Sequence, residues 1–412
     1  MCVPDRMHHA DLGLFKYQLR FTIELLNSKY GRNVINILEE RLTQIPRYPN
    51  LKVFKNGIER FNRLTAAEYR DLMKVMLFVI DELVIDKKLN KDLCDLFSLW
   101  IDMYIWNRQS QYTKSDLDKF ESDLFIKLMS KFSASNLNIP KLHSWRFHLI
   151  PSIYQFGAIN GFTSETYELL HKSNVKQAYR MTNKHNINIQ MQAIVTRQNI
   201  FMSFVSRSRS KSGLYQGITS KKAIKQMILH TVDQTINQLP NADNLWMCGF
   251  KQLKNCIYDY FQSIENWSLQ NIKNNAILIE VFDFAYLNND NKIIRASLNY
   301  HNQAIFSDVC VEMNESEQDD YLTDNGLCYA KILLITQITS PKLDQKLELA
   351  LVHWYDFAYP SDINNHYFYK CAILKHVKHY TLIPISSIAN IVHIIPKFNK
   401  SDIFFVNRYI NY

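Results

Sequence analysis

The chain has 412 residues, of which 47% are hydrophobic and 21% are charged, and its formal net charge is +9. This composition is typical of a folded protein with two or three domains and excludes a largely disordered chain. No glycine-rich phosphate-binding motif occurs, so the sequence gives no indication of a nucleotide cofactor. No apolar run approaches the length of a membrane span, and the N-terminus lacks the features of a signal peptide. We therefore expect an intracellular protein, nuclear or cytoplasmic, that does not associate with a membrane.

The seven cysteines are scattered, odd in number and never spaced as Cys-x-x-Cys. This pattern indicates reduced thiols, and it favours neither a zinc ribbon nor a disulfide framework.

Residues 12–135 carry apolar side chains at the helical spacings of three and four. One predicted helix begins behind a Thr65-x-x-Glu68 capping box, a second follows it, and a third begins behind Ser115-x-x-Asp118. Three long helices in series predict a bundle. The aromatic residues of the second helix are expected in its core rather than as a base-stacking platform: Trp100, Tyr104 and Trp106.

The segment "NIPKLHSWRFHLIPSIYQFG" is predicted to form a short helix or turn bracketed by Pro140 and Pro151. Its histidines, His143 and His148, are five residues apart, and this spacing does not align two zinc ligands on one helical face. A metal hydrolase that uses both histidines with Glu168 is allowed by the residue types but disfavoured by the spacing.

The next segment, "GFTSETYELLHK", places Glu165 and Glu168 at the start of a predicted helix, with Ser164 as its N-cap. Two interpretations are open. The carboxylates belong to an exposed helix start, or they form a metal-holding acidic corner beside a nucleic-acid track.

A basic stretch follows, since eleven Lys or Arg residues and no Asp or Glu occur between Leu169 and Thr231. We expect a positive surface potential there, which would attract phosphates. The run "SRSRSKSG" at 206–213 indicates a flexible loop and a domain boundary.

Residues 271–412 change to short β-rich runs separated by polar turns. This predicts a small antiparallel barrel or sandwich of about six or seven strands. Four aromatic residues on one predicted strand could instead form a ligand cage: Trp354, Tyr355, Phe357 and Tyr359.

Three segments carry a family likeness: "PDRMHHADLGLF", "PKLHSWRFHLIPSIYQFGAINGFTSETYELLHK" and "PISSIANIVHIIPKFNKSDIFFVNRYI". Together they resemble Plavaka-type transposases of fungi, within the Kyakuja, Dileera and Zisupton transposase superfamily. The resemblance implies an α+β fold: the remnant of a ribonuclease-H-like core over 1–205 with a helical insertion at about 12–135. A basic linker and helical segment would follow at 206–270, and an all-β accessory domain at 271–412.

The same resemblance implies metal-dependent DNA cleavage and strand transfer. Asp5 looks like the second acidic ligand of Mg²⁺ or Mn²⁺ and Glu165 or Glu168 like the third, with Asp11 as a competitor for Asp5 that could equally cap a helix. Further candidates are second-shell or phosphate-contacting histidines and DNA-backbone cations: His8, His143, His171, Lys172, Lys176, Arg180 and Lys184.

The sequence also departs from the family pattern. The family's first aspartate lies well upstream of its D-R-x-H segment, yet only four residues precede Asp5, and Leu169 stands where the family often has Arg. We therefore expect a truncated, transposase-derived DNA-binding protein that is inactive as a nuclease. The alternative is a non-catalytic interaction module that binds DNA or protein, in which Glu165 and Glu168 only cap a helix.

Overall fold

The computed structural model describes residues 3–55, 57, 61–118, 120, 123–131, 139–209, 217–219, 223–237, 245–287, 292–313, 323–362 and 365–411. These fall into two units, the first drawn from residues 1–212 and 409–412 and the second from residues 213–408. The described secondary structure is mixed α+β with antiparallel strand pairing, as predicted.

The regular secondary structure in the described residues of the first unit is entirely helical. Its α-helices are α1 Lys16–Tyr30, α2 Arg32–Thr43, α3 Ala66–Ile80, α4 Lys87–Trp106, α5 Lys114–Asp118, α6 Asp123–Ser130, α7 Pro140–Phe156, α8 Glu165–Leu170, α9 Ala178–Arg180 and α10 Ile187–Arg209. Two stretches are π-helical, Met7–Phe15 and His171–Gln177. No strand occurs among the described residues of this unit, so they do not contain the sheet that a ribonuclease-H-like core requires.

The predicted helices α3 and α4 are confirmed. The Thr65 hydroxyl accepts from the Glu68 backbone N–H, and the Glu68 carboxylate accepts from the Thr65 N–H, which completes the predicted capping box. Trp100 and Tyr104 are fully buried, as expected for core residues. The rings of Phe15 and Trp100 lie 5.7 Å apart in this core.

Three local predictions in this unit were wrong. The third long helix is replaced by two short helices, α5 and α6, with the non-helical Phe120 between them. α5 is capped by Thr113 and Asp116, which exchange hydrogen bonds of 3.2 and 2.8 Å, so the cap lies two residues before the predicted Ser115. α7 continues through Pro151 instead of ending there. Leu149 and Ile153 are buried on either side of this proline, and their packing holds the helix together despite the missing N–H.

The second unit contains three α-helices and thirteen strands among its described residues. The helices are α11 Val232–Asn237, α12 Leu245–Ser263 and α13 Leu269–Asn274. The strands are β1 Lys225–Ile228, β2 Leu278–Phe282, β3 Phe284–Tyr286, β4 Ile293–Tyr300, β5 Gln303–Phe306, β6 Asp308–Glu312, β7 Leu327–Thr339, β8 Leu347–Phe357, β9 Tyr367–Phe368, β10 Cys371–Pro384, β11 Ile388–Val392, β12 Ile394–Pro396 and β13 Ile403–Val406.

Ten of these strands form one antiparallel sheet with the central order β1-β2-β7-β8-β10-β13-β12, and β3, β4 and β5 form a second sheet. The described strands do not close into a barrel, because β1 and β12 stand at opposite ends of the order. Residues 213–270, assigned above to a linker and helical segment, belong to this unit because α12 packs on the sheet. Gly249 permits that packing, since a Cβ there would lie 2.9 Å from Leu334 Cγ.

The proposed aromatic cage does not form. Tyr355 and Phe357 are buried in a hydrophobic cluster, and Trp354, on the opposite face of the strand, donates to the Thr381 hydroxyl at 2.8 Å. Within the described part of the chain, no helix combines the length and apolar character needed to cross a membrane.

Candidate functional site

Asp5 lies two residues before the first π-helical stretch and is hydrogen-bonded to the segment before α8. Its Oδ1 accepts from the Ser164 N–H at 2.7 Å and the Thr163 hydroxyl at 3.1 Å. Its Oδ2 accepts from the Ser164 hydroxyl at 3.0 Å and from the His8 N–H at 2.8 Å. Burial opposes ionisation, but these hydrogen bonds outweigh it and lower the pKa of Asp5 below its ordinary value.

Ser164 occupies the predicted N-cap position of α8 but does not cap the helix. Its hydroxyl instead donates to the Asp5 carboxylate, a charged and therefore strong acceptor. Asp5 therefore fixes the start of α8 to the N-terminal segment.

Two arginines hold Glu165. Arg6 lies 2.6 Å from its Oε2, and Arg70 on α3 lies 2.6 Å from its Oε1. Burial would raise the pKa of Glu165, but the charge of Arg70 and the hydrogen bond from Arg6 lower it overall. Both oxygens of this carboxylate are therefore engaged by guanidinium groups.

Asp11 is fully buried inside the π-helical stretch, so it is not the helix-capping residue considered above. Its Oδ2 lies 2.9 Å from the second guanidinium nitrogen of Arg70, which bridges Asp11 and Glu165. Burial raises the pKa of Asp11 to about 6, although the charge of Arg70 acts in the opposite direction.

Glu168 is linked to Asp5 through the His8 ring. The His8 ring places Nδ1 2.7 Å from Asp5 Oδ2 and Nε2 3.1 Å from Glu168 Oε1. Asp5 and Glu168 therefore face each other across the width of one imidazole, which in its doubly protonated form donates to both. We call Asp5, Asp11, Glu165 and Glu168, with Arg6, Arg70 and His8, the acidic corner.

The donor set of the acidic corner does not fit a two-metal site in this arrangement. Asp5 already accepts hydrogen bonds on both oxygens, Glu165 is bound by two guanidinium groups, and Glu168 faces His8. Mg²⁺ and Mn²⁺ need carboxylate oxygens that are free to coordinate. Among the residues that the structure describes, no group of three His, Cys, Asp or Glu side chains is placed to hold a metal ion.

The other predicted histidines lie away from these contacts. His143 is exposed on α7 and packs against Phe147 at 4.8 Å and His148 at 5.5 Å, and the two imidazoles meet edge to face. His171 is exposed at the start of the second π-helical stretch. Of the three histidines predicted to lie near the carboxylates, only His8 is seen to contact them in the described residues.

The four predicted DNA-contacting cations are all exposed: Lys172, Lys176, Arg180 and Lys184. The first two lie in the second π-helical stretch, Arg180 ends α9, and Lys184 follows in the next turn at φ 66°. Within the described part of the chain none of them forms an ion pair, in contrast to the neutralised carboxylates of the acidic corner. We call these four residues the basic face.

Arg6 and Arg70 were not predicted from the sequence as part of this site. Arg6 lies inside the quoted D-R-M-H segment, so its proximity to Asp5 in sequence was a usable signal. Arg70 lies on α3, and only the packing of α3 against the first π-helical stretch brings it to the corner. Comparison with protein-family models, with curated proteins and with solved structures found no match to this chain.

Proposed function

We propose that this chain binds nucleic acid through its basic face, without metal-dependent chemistry at the acidic corner. The observation that carries the proposal is a row of three exposed cations on one continuous helical segment, with Lys184 in the turn that follows, none of which forms an ion pair within the described residues. Lys172, Lys176 and Arg180 recur at intervals of four residues, which keeps them on one side of the helix. Their spacing suits contacts to successive backbone phosphates.

The electrostatic surroundings support this role. The sequence contains no acidic residue between Leu169 and Thr231. The carboxylate that precedes this stretch, Glu168, faces His8 at 3.1 Å. Binding would release counterions from the nucleic acid and would depend steeply on salt. Two of the four cations also lie in a π-helical stretch, a rare conformation that is frequent at functional sites.

The acidic corner then has a structural role beside this surface. It fastens the N-terminal segment and α3 to the start of α8, from which the basic face continues along the chain. Rigid support of this kind reduces the ordering cost of binding.

Descent from a Plavaka-type transposase, with a ribonuclease-H-like core and Mg²⁺- or Mn²⁺-dependent DNA cleavage, is our hypothesis for the origin of this arrangement. It is supported by the meeting of the D-R-M-H and E-T-Y-E segments, since Asp5 and Glu168 lie on either side of His8. The guanidinium groups on Glu165 argue against retained cleavage. In a restored nuclease, Arg6 and Arg70 would have to leave Glu165 before a metal could bind.

A protein partner is the second candidate. Most of the exposed large hydrophobic side chains in the described residues lie between Phe147 and Phe204, including Tyr167 at 73% and Leu169 at 67% exposure. An apolar surface of this kind is typical of an interaction site.

Binding of a labelled duplex oligonucleotide, followed by fluorescence anisotropy, tests the proposal. The test variant replaces all four residues of the basic face by Gln. The matched control replaces four exposed lysines elsewhere in the first unit: Lys29, Lys87, Lys88 and Lys127. We expect weak binding by the test variant alone; equal losses in both variants would refute a localised nucleic-acid surface and leave the protein partner as the better candidate.

A further inference from the structure

A second cationic site lies in the first unit, in a cavity of about 290 Å³ between the N-terminal segment and the start of α7. Its volume is near the lower end of small-ligand sites, which begin at about 300 Å³. It holds three basic side chains and no acidic one among its lining residues, which are Leu12, Lys16, Tyr17, Arg20, Asn62 and Lys141. None of these belongs to the basic face or the acidic corner.

The two lysines are held in place by backbone carbonyls. Lys16 Nζ donates to the Asn62 carbonyl at 3.1 Å, and Lys141 Nζ donates to the His8 carbonyl at 2.9 Å. An ammonium group has three donors, so each lysine retains donors for a further acceptor. Neutral carbonyls position these ammonium groups without neutralising their charge.

Arg20 is the third basic residue that lines the cavity. Its guanidinium carbon lies 4.9 Å from the centre of the Tyr17 ring, which orients the planar group. Its nearest carboxylate, Glu24, lies 3.8 Å from Nε, beyond hydrogen-bond distance. The buried Nε has no hydrogen-bond partner within the described part of the chain. A guanidinium held in this way can bind a phosphate oxygen.

The positive charges are close enough to affect one another. Burial lowers the pKa of Lys141, and the charge of Lys16 lowers it further. Gly13 contributes to the crowding, since a Cβ there would lie 2.7 Å from Lys141 Cδ. An anion bound between the cations would relieve this repulsion.

We propose that this cavity binds a phosphate group through Lys16, Arg20 and Lys141. The three cations supply the charge and the directed donors that a phosphate monoester or its inorganic parent requires. The phosphate could come from the end of a nucleic-acid strand or from a small phosphorylated molecule. The site is separate from the basic face, so it stands whether or not that surface binds nucleic acid.

The test begins with inorganic phosphate and the full chain. Calorimetry and thermal unfolding are compared in sodium phosphate and in sodium chloride of equal ionic strength. We expect saturable binding of phosphate and a higher melting temperature in its presence, because a ligand that binds only the folded state stabilises it. A response identical to that in chloride would overturn the proposal.

Variants locate the site. Lys16→Met with Arg20→Met should weaken phosphate binding by about tenfold or more, since each change removes a charged hydrogen bond. Lys29→Met with Lys88→Met removes the same charge outside the cavity and should leave the affinity unchanged. If circular dichroism shows that the first double variant is unfolded, the single variant Lys16→Gln is used in its place. Unchanged affinity in the folded cavity variant would overturn the assignment.

Two oligonucleotides of one sequence, with and without a 5′-phosphate, distinguish the sources. Tighter binding of the phosphorylated strand that is lost in the cavity variant would identify a strand end as the ligand. Equal binding of both strands, with the response to inorganic phosphate intact, would identify a small phosphorylated molecule.

Discussion

The Arg70 guanidinium lies 2.6 Å from the Glu165 carboxylate, although the two residues belong to helices that are distant in the sequence. The same side chain contacts Asp11 at 2.9 Å, so one cation serves two carboxylates. This bridge is why the acidic corner is better described as an ion-pair cluster than as a metal site.

Replacing Arg70 should therefore destabilise the first unit strongly. In Arg70→Met the fully buried Asp11 loses its guanidinium partner, and removing one partner of a buried pair costs about 3 kcal/mol or more. Urea unfolding followed by circular dichroism measures the loss. Arg197→Met, an exposed arginine of α10, is the control and should change the free energy of unfolding by less than about 0.5 kcal/mol. Equal effects of the two substitutions would contradict the bridging role.

Asp11 should make the first unit less stable as the pH rises, which is opposite to the usual effect of a carboxylate that is ion-paired in the folded state. Its pKa is raised from 3.8 to about 6, so the folded state binds the proton more tightly than the unfolded state. The stability that protonated Asp11 contributes is complete below pH 3.8 and is lost as the pH rises through about 6. The total loss is on the order of 3 kcal/mol.

Asp11→Asn removes the ionisation and tests this pH dependence. The difference in unfolding free energy between the variant and the unmodified chain should shift in favour of the variant between pH 4 and pH 7. A difference that is constant over this range would show that Asp11 does not titrate there.

His376 should make the second unit less stable as the pH falls. Burial, followed by the charges of His353 and Lys331, lowers the pKa of His376 from 6.5 to about 3. Its ring stacks on His353 at 4.1 Å and on Tyr355 at 4.1 Å, so a charged form would be poorly solvated. Below pH 6.5 the unfolded state takes up a proton that the folded state refuses, and stability falls as the pH decreases towards 3.

His376→Phe keeps an aromatic ring in the stack but cannot titrate. Urea unfolding at pH 7 and pH 4 should show a smaller loss on acidification for this variant than for the unmodified chain. His379→Phe changes an exposed histidine of the same strand and serves as the control. An equal acid sensitivity of all three proteins would exclude His376 as the source.

Local patterns predicted much of the fold. The capping box at Thr65, the burial of Trp100 and the long strands of the second unit follow from side-chain periodicity and short-range hydrogen bonding. The β4-β5 hairpin has no turn signature in the sequence, because its turn uses His301 and Asn302, both at positive φ, instead of the Asn-Gly or Asp-Gly pair that marks such turns. β1 was missed because it has only four residues, too few to show an alternating pattern of apolar and polar side chains. It also pairs with β2, which is distant in the sequence.

The acidic corner, too, was only partly predictable from the sequence. The family resemblance implied a common site for Asp5 and either Glu165 or Glu168, and the structure brings Asp5 and Glu168 to the two sides of His8. The charge balance of that site was not predictable, because it depends on Arg70, which reaches the corner only through tertiary packing of α3. A carboxylate pattern alone cannot tell a metal site from an ion-pair cluster.

The most direct test of our central claim is the salt dependence of duplex DNA binding in the presence of EDTA. Each phosphate neutralised on a duplex contributes about −0.9 to the slope of log K against log salt concentration. We predict that the unmodified chain binds without divalent metal and that replacing all four residues of the basic face by Gln reduces the slope by about 3 to 4. Binding that requires Mg²⁺ or Mn²⁺, or a slope unchanged by the four substitutions, would contradict the account.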